Sequence, residues 1–213
     1  MRSRRGRILC GILIFLSSAT PSVAMYTANP AGRWPSQRFF LAGDFQYVDK
    51  DLAPGGKISD GVGFFVRPGF SIAPNVVVYG RLGVQTADNV DAGFAGGFGV
   101  QGAYVIPSAP EFAVGAAADF LYWDGGLENG HSIDWLEFQL APAVSYNIPP
   151  VPELTPYAGI LFDFVEARGS IGESDPVGML FGTNFDPTDQ LRFNAQFRVI
   201  SETGFFLSVG YIF

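Results

Sequence analysis

The chain has 213 residues, with 20 Asp and Glu against 13 Lys and Arg, and a formal net charge of −7. That length suits one domain, and so acidic a balance excludes a nucleic-acid binder, because phosphate contacts need Lys and Arg. The single cysteine, Cys10, excludes an internal disulfide framework.

The first residues read as an export signal. Arg2, Arg4, Arg5 and Arg7 form a basic start, residues 8–16 an apolar run, and Ser22, Val23 and Ala24 a small-x-small site. Together they predict a signal peptide over residues 1–24, cut after Ala24. The apolar run is shorter than the ~20 residues a membrane helix needs. It continues past Cys10, which argues against a lipoprotein and lets that cysteine leave with the signal. Removal takes four of the basic residues and none of the acidic ones, so the charge moves from −7 to −11. Residues 25–37, with Pro30 and Pro35, read as an N-terminal leader, and residues 38–213 as one β domain.

Period-2 strands then follow one another. Phe39, Leu41, Phe45 and Tyr47 alternate with Asp44 and Gln46, and Val62, Phe64, Val66, Phe70 and Ile72 with Arg67 and Ser71. Val76, Val78, Leu82 and Val84 oppose Arg81 and Gln85. Phe94, Phe98, Val100 and Tyr104 oppose Gln101, and Phe112, Val114, Phe120 and Tyr122 oppose Asp119. Leu136, Phe138, Leu140 and Val144 oppose Glu137, Gln139 and Ser145. Ile160, Phe162 and Phe164 oppose Asp163. Residues 177–185 are a weaker strand. Leu191, Phe193, Phe197 and Val199 oppose Arg192, Asn194, Gln196 and Arg198.

A soluble sandwich shares this alternation. The second face decides between them, because it is Gly, Ala, Ser, Asn and Gln with single charges, as in a narrow lumen, rather than a Lys/Glu/Thr coat. The fold class expected is therefore all-β, a single antiparallel transmembrane β-barrel. Counting the weak strand gives ten strands, with eight as the alternative. Pro-rich turns at 73–75, 107–110, 149–152 and 186–189 belong at the periplasmic end. Longer outer loops are expected near 49–61, 87–92, 124–132, 168–176 and 201–204. Tyr104, Tyr146 and Tyr211 at one end of the outward faces, and Tyr47 and Tyr122 at the other, suit two interfacial girdles. Trp123 and Trp135 carry inward parity near the outer rim and are candidates to plug the mouth.

Chemistry in the strands is sparse. Asp44, Asp119, Glu137 and Asp163 share the inward face with Arg67, Arg81, Arg192 and Arg198, four acids and four bases. An unpaired charge in a low-dielectric lumen costs several kcal/mol, so balance is expected if these groups pair. They make either a packed, ion-paired core or a charged constriction. Gly97, Gly99 and Gly102 match the letters GxGxxG but sit inside a strand with no helix to follow, so no dinucleotide site is expected. His131, beside Ser132 and Asp134 with Glu128 nearby, is the one place for a rim enzyme. The required nucleophile, base and orienter are not evident there, and no catalytic, cofactor or metal site is assigned. The outer loops are acidic, with Lys50 and Lys57 among many Asp and Glu, Glu202 included.

The chain ends on Phe205, Leu207, Val209, Tyr211 and Phe213, a strand with one strictly apolar face closing on an aromatic. This resembles the terminal strand of Gram-negative outer-membrane β-barrels. In that family the terminal Phe, with its alternating apolar residues, is read by the barrel-assembly machinery. Over residues 38–213 the alternation resembles the small barrels of the OmpA-transmembrane-domain and OmpX kind, without a periplasmic peptidoglycan-binding domain. The resemblance implies a place in the bacterial outer membrane, with that membrane's lipid and lipopolysaccharide as partners. It implies a structural or interaction barrel with a packed lumen, acidic extracellular loops and no cofactor. A narrow pore or small-solute binder is the alternative, and the extracellular ligand is unknown.

Overall fold

A computed structural model describes residues 29–53, 56–88, 90–126, 132–167, 171–173, 176–200 and 202–213. The expected signal peptide and His131 lie outside these residues. Eleven strands form one sheet: β1 Phe39–Ala53, β2 Gly56–Ala73, β3 Val76–Ala87, β4 Val90–Val105, β5 Phe112–Gly126, β6 Ser132–Tyr146, β7 Leu154–Ala167, β8 Ile171–Glu173, β9 Val177–Phe185, β10 Leu191–Val199 and β11 Glu202–Ile212. From β1 to β8 and from β9 to β11 neighbours in sequence pair antiparallel, β7 also pairs with β9, and β11 returns to β1 from Phe40↔Ile212 to Lys50↔Glu202. Ten strands thus close a barrel, as expected, and closure leaves no edge for another chain to pair with. The Pro-rich turns fall at one end, between β2 and β3, β4 and β5, β6 and β7, and β9 and β10.

Residues 177–185 are a strand, so the alternative of eight does not hold, and β8 is an eleventh, short strand. The β10–β11 hairpin stops at Val199 and Glu202, turning through Ile200 at φ 87°. β1 runs on to Ala53 and pairs over the tip of that hairpin with β8, through Leu52↔Glu173 and Ala53↔Gly172. β8 also pairs with β7, through Glu166↔Gly172 and Ala167↔Ile171. β8 thus bridges β1 and β7 beyond the end of that hairpin.

The strands run further out than the sequence suggested. The loop expected at 49–61 is ladder on both sides, with Lys50↔Ile58, Asp51↔Lys57 and Leu52↔Gly56 all paired. Polar residues do not end a strand whose hydrogen bonds are made by its partner.

Parity separates the faces as expected. Along β1, residues 40, 42, 44, 46, 48 and 50 are buried, while Phe39, Leu41 and Gly43 are exposed. Phe64, Leu82, Phe94, Phe98, Phe164 and Phe197 stand more than half exposed on the outside. So continuous an exposed apolar wall would aggregate in water; in a bilayer it meets hydrocarbon. Cross-strand rings add to it: Phe45 on Phe64 at 5.1 Å and Phe98 on Phe120 at 5.3 Å. We expect unboiled protein to migrate differently from boiled protein on a denaturing gel. Identical migration would contradict the closed barrel.

Candidate functional site: a lumen closed at both ends

The leader residues enter the barrel instead of hanging from it. Asn29, Ala31 and Trp34 are buried in the end that carries the Pro-rich turns. The lumen grips this segment largely by its backbone carbonyls. Ser145 Oγ donates to Ala31 O at 2.9 Å, Gln101 Nε2 to Gly32 O at 3.4 Å and Arg192 Nη2 to Arg33 O at 3.1 Å. Trp34 N–H donates to Asn75 Oδ1 at 3.0 Å. The Trp34 ring packs on Phe40 at 4.7 Å and lies under the Arg192 guanidinium at 4.4 Å. Gly115 makes room for the segment, since a Cβ there would stand 2.5 Å from Pro30 O. No periodicity marks residues 29–34, so the sequence reading missed this plug.

Above the plug, the Arg67 guanidinium donates to both Asp44 oxygens, at 2.8 and 3.1 Å, and to Ser208 Oγ at 3.2 Å. This fork is the bidentate geometry that favours Arg over Lys. Tyr79 Oη donates to Asp119 Oδ1 at 2.8 Å. Arg81 is buried with its guanidinium over the Phe65 ring at 5.6 Å. On the opposite wall Tyr157, Asn184, Asn194 and Gln196 bond to one another, Asn194 Nδ2 reaching Asn184 Oδ1 at 2.6 Å and Gln196 Nε2 reaching Tyr157 Oη at 3.1 Å. A cavity of about 20 Å³ remains beside Asn29, Arg67, Asn194 and Ser208, room for a single water.

The strongest cluster crosses the whole barrel. Lys50 Nζ of β1 reaches Glu137 Oε1 of β6 at 2.9 Å, Asp163 Oδ2 of β7, and Glu202 Oε2 of β11 at 3.6 Å. Arg198 of β10 pairs with Glu202 at 2.7 Å and donates to Gln139 Oε1 at 3.0 Å. Gln139 donates in turn to Glu137 and Asp163. All five charged side chains are fully buried. The cluster sits at the end of the β10–β11 hairpin, where Lys50 is opposite Glu202.

Two placements depart from the sequence reading. Lys50 and Glu202, assigned there to the acidic outer rim, are 1% and 2% exposed inside the lumen. They continue the inward parity of their strands, and pairing carries both strands beyond the loop boundary that was expected. Arg192, expected among the lumen charges, also points inward, at the end that carries the Pro-rich turns, where it pairs with Asp186 of the preceding turn at 2.6 Å. It is the second residue of β10, too near the strand end to reach the central acids. Asp44, Arg67, Arg81, Asp119, Glu137, Asp163 and Arg198 all point inward and are at most 3% exposed.

The outer end is capped by apolar rings. Trp123 and Trp135, paired across β5 and β6, meet edge-on at 6.4 Å and are buried with Phe65, Ala95 and Leu121. Glu137, Asp163 and Glu202 bring carboxylate oxygens within 4.8 Å of one another. The Lys50 ammonium already stands among them, so the described residues offer no vacant cation position there.

Solved structures share this architecture at low identity. The β domain of the Bordetella autotransporter BrkA matches at a TM-score of 0.53 and 11% identity, over 84% of this chain and 100% of that one. An outer-membrane channel from Pseudomonas putida F1 matches at 0.49 and 9%, over 89% and 100%. The KdgM porin matches at 0.42 and 11%, over 81% and 99%. No protein-family model and no curated protein matches the chain. The closed ten-stranded barrel with its apolar outer wall is the fold of bacterial outer-membrane β-barrel proteins.

Proposed function

We propose that this protein is a structural or interaction barrel of the outer membrane whose lumen is solid at rest. One observation carries the reading: Gln46, Gln85, Gln139, Gln196 and Arg198, which would line any aqueous path, are 0% exposed. A water-filled pore would wet them. The expected result is that refolded full-length protein in planar bilayers gives no steady conductance. Reproducible single-channel steps would overturn it in favour of a narrow pore or small-solute binder. In this reading the acidic outer loops carry the contact with the exterior, and lipopolysaccharide and the surrounding lipid are its partners. No catalytic role is part of the proposal; turnover of lipid or peptide that depends on His131 would count against it.

The terminal strand serves assembly in the same reading. Phe213 N–H donates to Phe39 O at 2.8 Å, and Arg38 Nη1 donates to the Phe213 carbonyl at 3.1 Å, so the last residue seals β11 onto β1. Phe205, Leu207, Val209 and Tyr211 share its outward parity. Deleting Phe213 should sharply lower the heat-modifiable form recovered from outer-membrane fractions. Undiminished recovery would remove Phe213 from the assembly signal.

A further inference from the structure

The small cavity in the lumen lies between the leader and the wall. Asn29 and Trp34 of the leader line it on one side, and Arg67, Arg192, Asn194 and Ser208 of the wall on the other, around about 20 Å³. The polar atoms left over in that lining are donors. Asn29 is 2% exposed, and its Oδ1 accepts from Ala31 N–H at 3.0 Å, which fixes the amide and leaves Nδ2 as its outlying atom. Asn29 Nδ2, Trp34 Nε1 and Arg192 Nη1 are buried and meet no acceptor among the described residues. The side-chain acceptors of the lining are engaged already: Ser208 Oγ by Arg67 Nη2, Asn184 Oδ1 by Asn194 Nδ2, and Asn194 Oδ1 by Tyr157 Oη.

A buried N–H without an acceptor is costly, and three around one cavity call for a single shared acceptor. A water can accept twice, but it brings two hydrogens of its own that need acceptors. An anion accepts from every side, and its hydrogen bonds are the stronger kind. The charge agrees. Two guanidiniums line the cavity, Arg67 and Arg192, and no carboxylate does. Size narrows the choice further, because a space this small takes one water-sized body and excludes phosphate or a carboxylic acid. Arg192 and Ile212 also line an open groove of about 880 Å³ beside the cavity, which gives an ion a way in.

We propose that this cavity binds one small halide ion, such as chloride, between the leader and the barrel wall. The ion takes its hydrogen bonds from both: Asn29 and Trp34 belong to the leader, Arg192 to β10. It therefore ties the plug to the lumen by a contact that neither makes with the other directly. The proposal rests on the leader being seated in the barrel, not on whether the lumen conducts.

Asn29→Asp supplies the test. One carboxylate oxygen can keep the bond from Ala31 N–H, while the other puts a fixed negative charge where Nδ2 stands. Refolded full-length protein is unfolded in urea as chloride replaces gluconate, an anion too large for the cavity, at constant ionic strength. An ion that binds only the folded chain stabilises it by mass action. The parent's midpoint, read from the unboiled gel band, should therefore rise with chloride, and that of Asn29→Asp should not. Trp34→Phe keeps a ring against Phe40 and Arg192 but loses the N–H. It should need about tenfold more chloride than the parent for the same rise, and it carries the test if Asn29→Asp does not fold. Crystals of the parent grown in bromide should show an anomalous peak in the cavity. A parent midpoint indifferent to chloride, the same chloride dependence in parent and variants, or a water alone at the cavity in bromide overturns the proposal.

Discussion

Lys50→Met should be the most destabilising single substitution in the barrel. It removes the ammonium that holds Glu137, Asp163 and Glu202 together and leaves three buried carboxylates with Arg198 alone. Removing one partner of a buried ion pair costs about 3–5 kcal/mol, because the remaining charge is neither solvated nor paired. The midpoint of urea unfolding, followed by the loss of the unboiled gel band, should fall accordingly. Adding Asp163→Asn to Lys50→Met should recover a large part of the loss, since a buried charge is then replaced by a neutral amide. Coupling of that kind is expected only between groups in contact. Asp163→Asn in the parent background should be milder than Lys50→Met, because Lys50 keeps Glu137 and Glu202. A Lys50→Met midpoint close to the parent's would mean that water or a bound cation reaches the cluster, contrary to the closed lumen.

The parts that could be read from the sequence share one physical cause. Period-2 alternation survives wherever one face meets a single environment, so strand order and the inward set from Asp44 to Arg198 follow from parity alone. Lys50 and Glu202 obey that same parity. Their polar neighbours suggest loops, but the ladder runs on through Asp49↔Thr203 and Asp51↔Lys57. The cue was present: residues 44, 46, 48 and 50 form one inward column. The leader is different. Residues 29–34 have no repeat, and they are fixed by carbonyl contacts to Gln101, Ser145 and Arg192, which any sequence could make. The bridging strand β8 is three residues long and joins β7, just before it, to β1, far away in the sequence. Neither feature leaves a local signature.

The leader's role as a plug gives the second large effect, and it is an effect on access rather than on conductance. Two barriers lie in series: residues 29–34 at the mouth beside the Pro-rich turns, and the Lys50 cluster with Trp123 and Trp135 beyond it. Deleting residues 25–37 removes only the first. Such a variant should still fold, because closure of β1 onto β11 spans eleven residue pairs and does not involve the leader. It should also stay silent in planar bilayers. What must change is the wetting of the lower lumen. Ser145 is 1% exposed and is held against Ala31 O, so Ser145→Cys in the full chain should resist a polar maleimide. With Cys10→Ser added in every variant, that thiol is the only one present. In the shortened chain it should be labelled to completion under the same conditions, while Gln139→Cys, beyond the first barrier, should stay protected in both. Labelling of Ser145→Cys in the full chain would show that the leader leaves the lumen spontaneously. Labelling of Gln139→Cys in the shortened one would show that the plug, and not the ionic cluster, is what keeps the barrel closed.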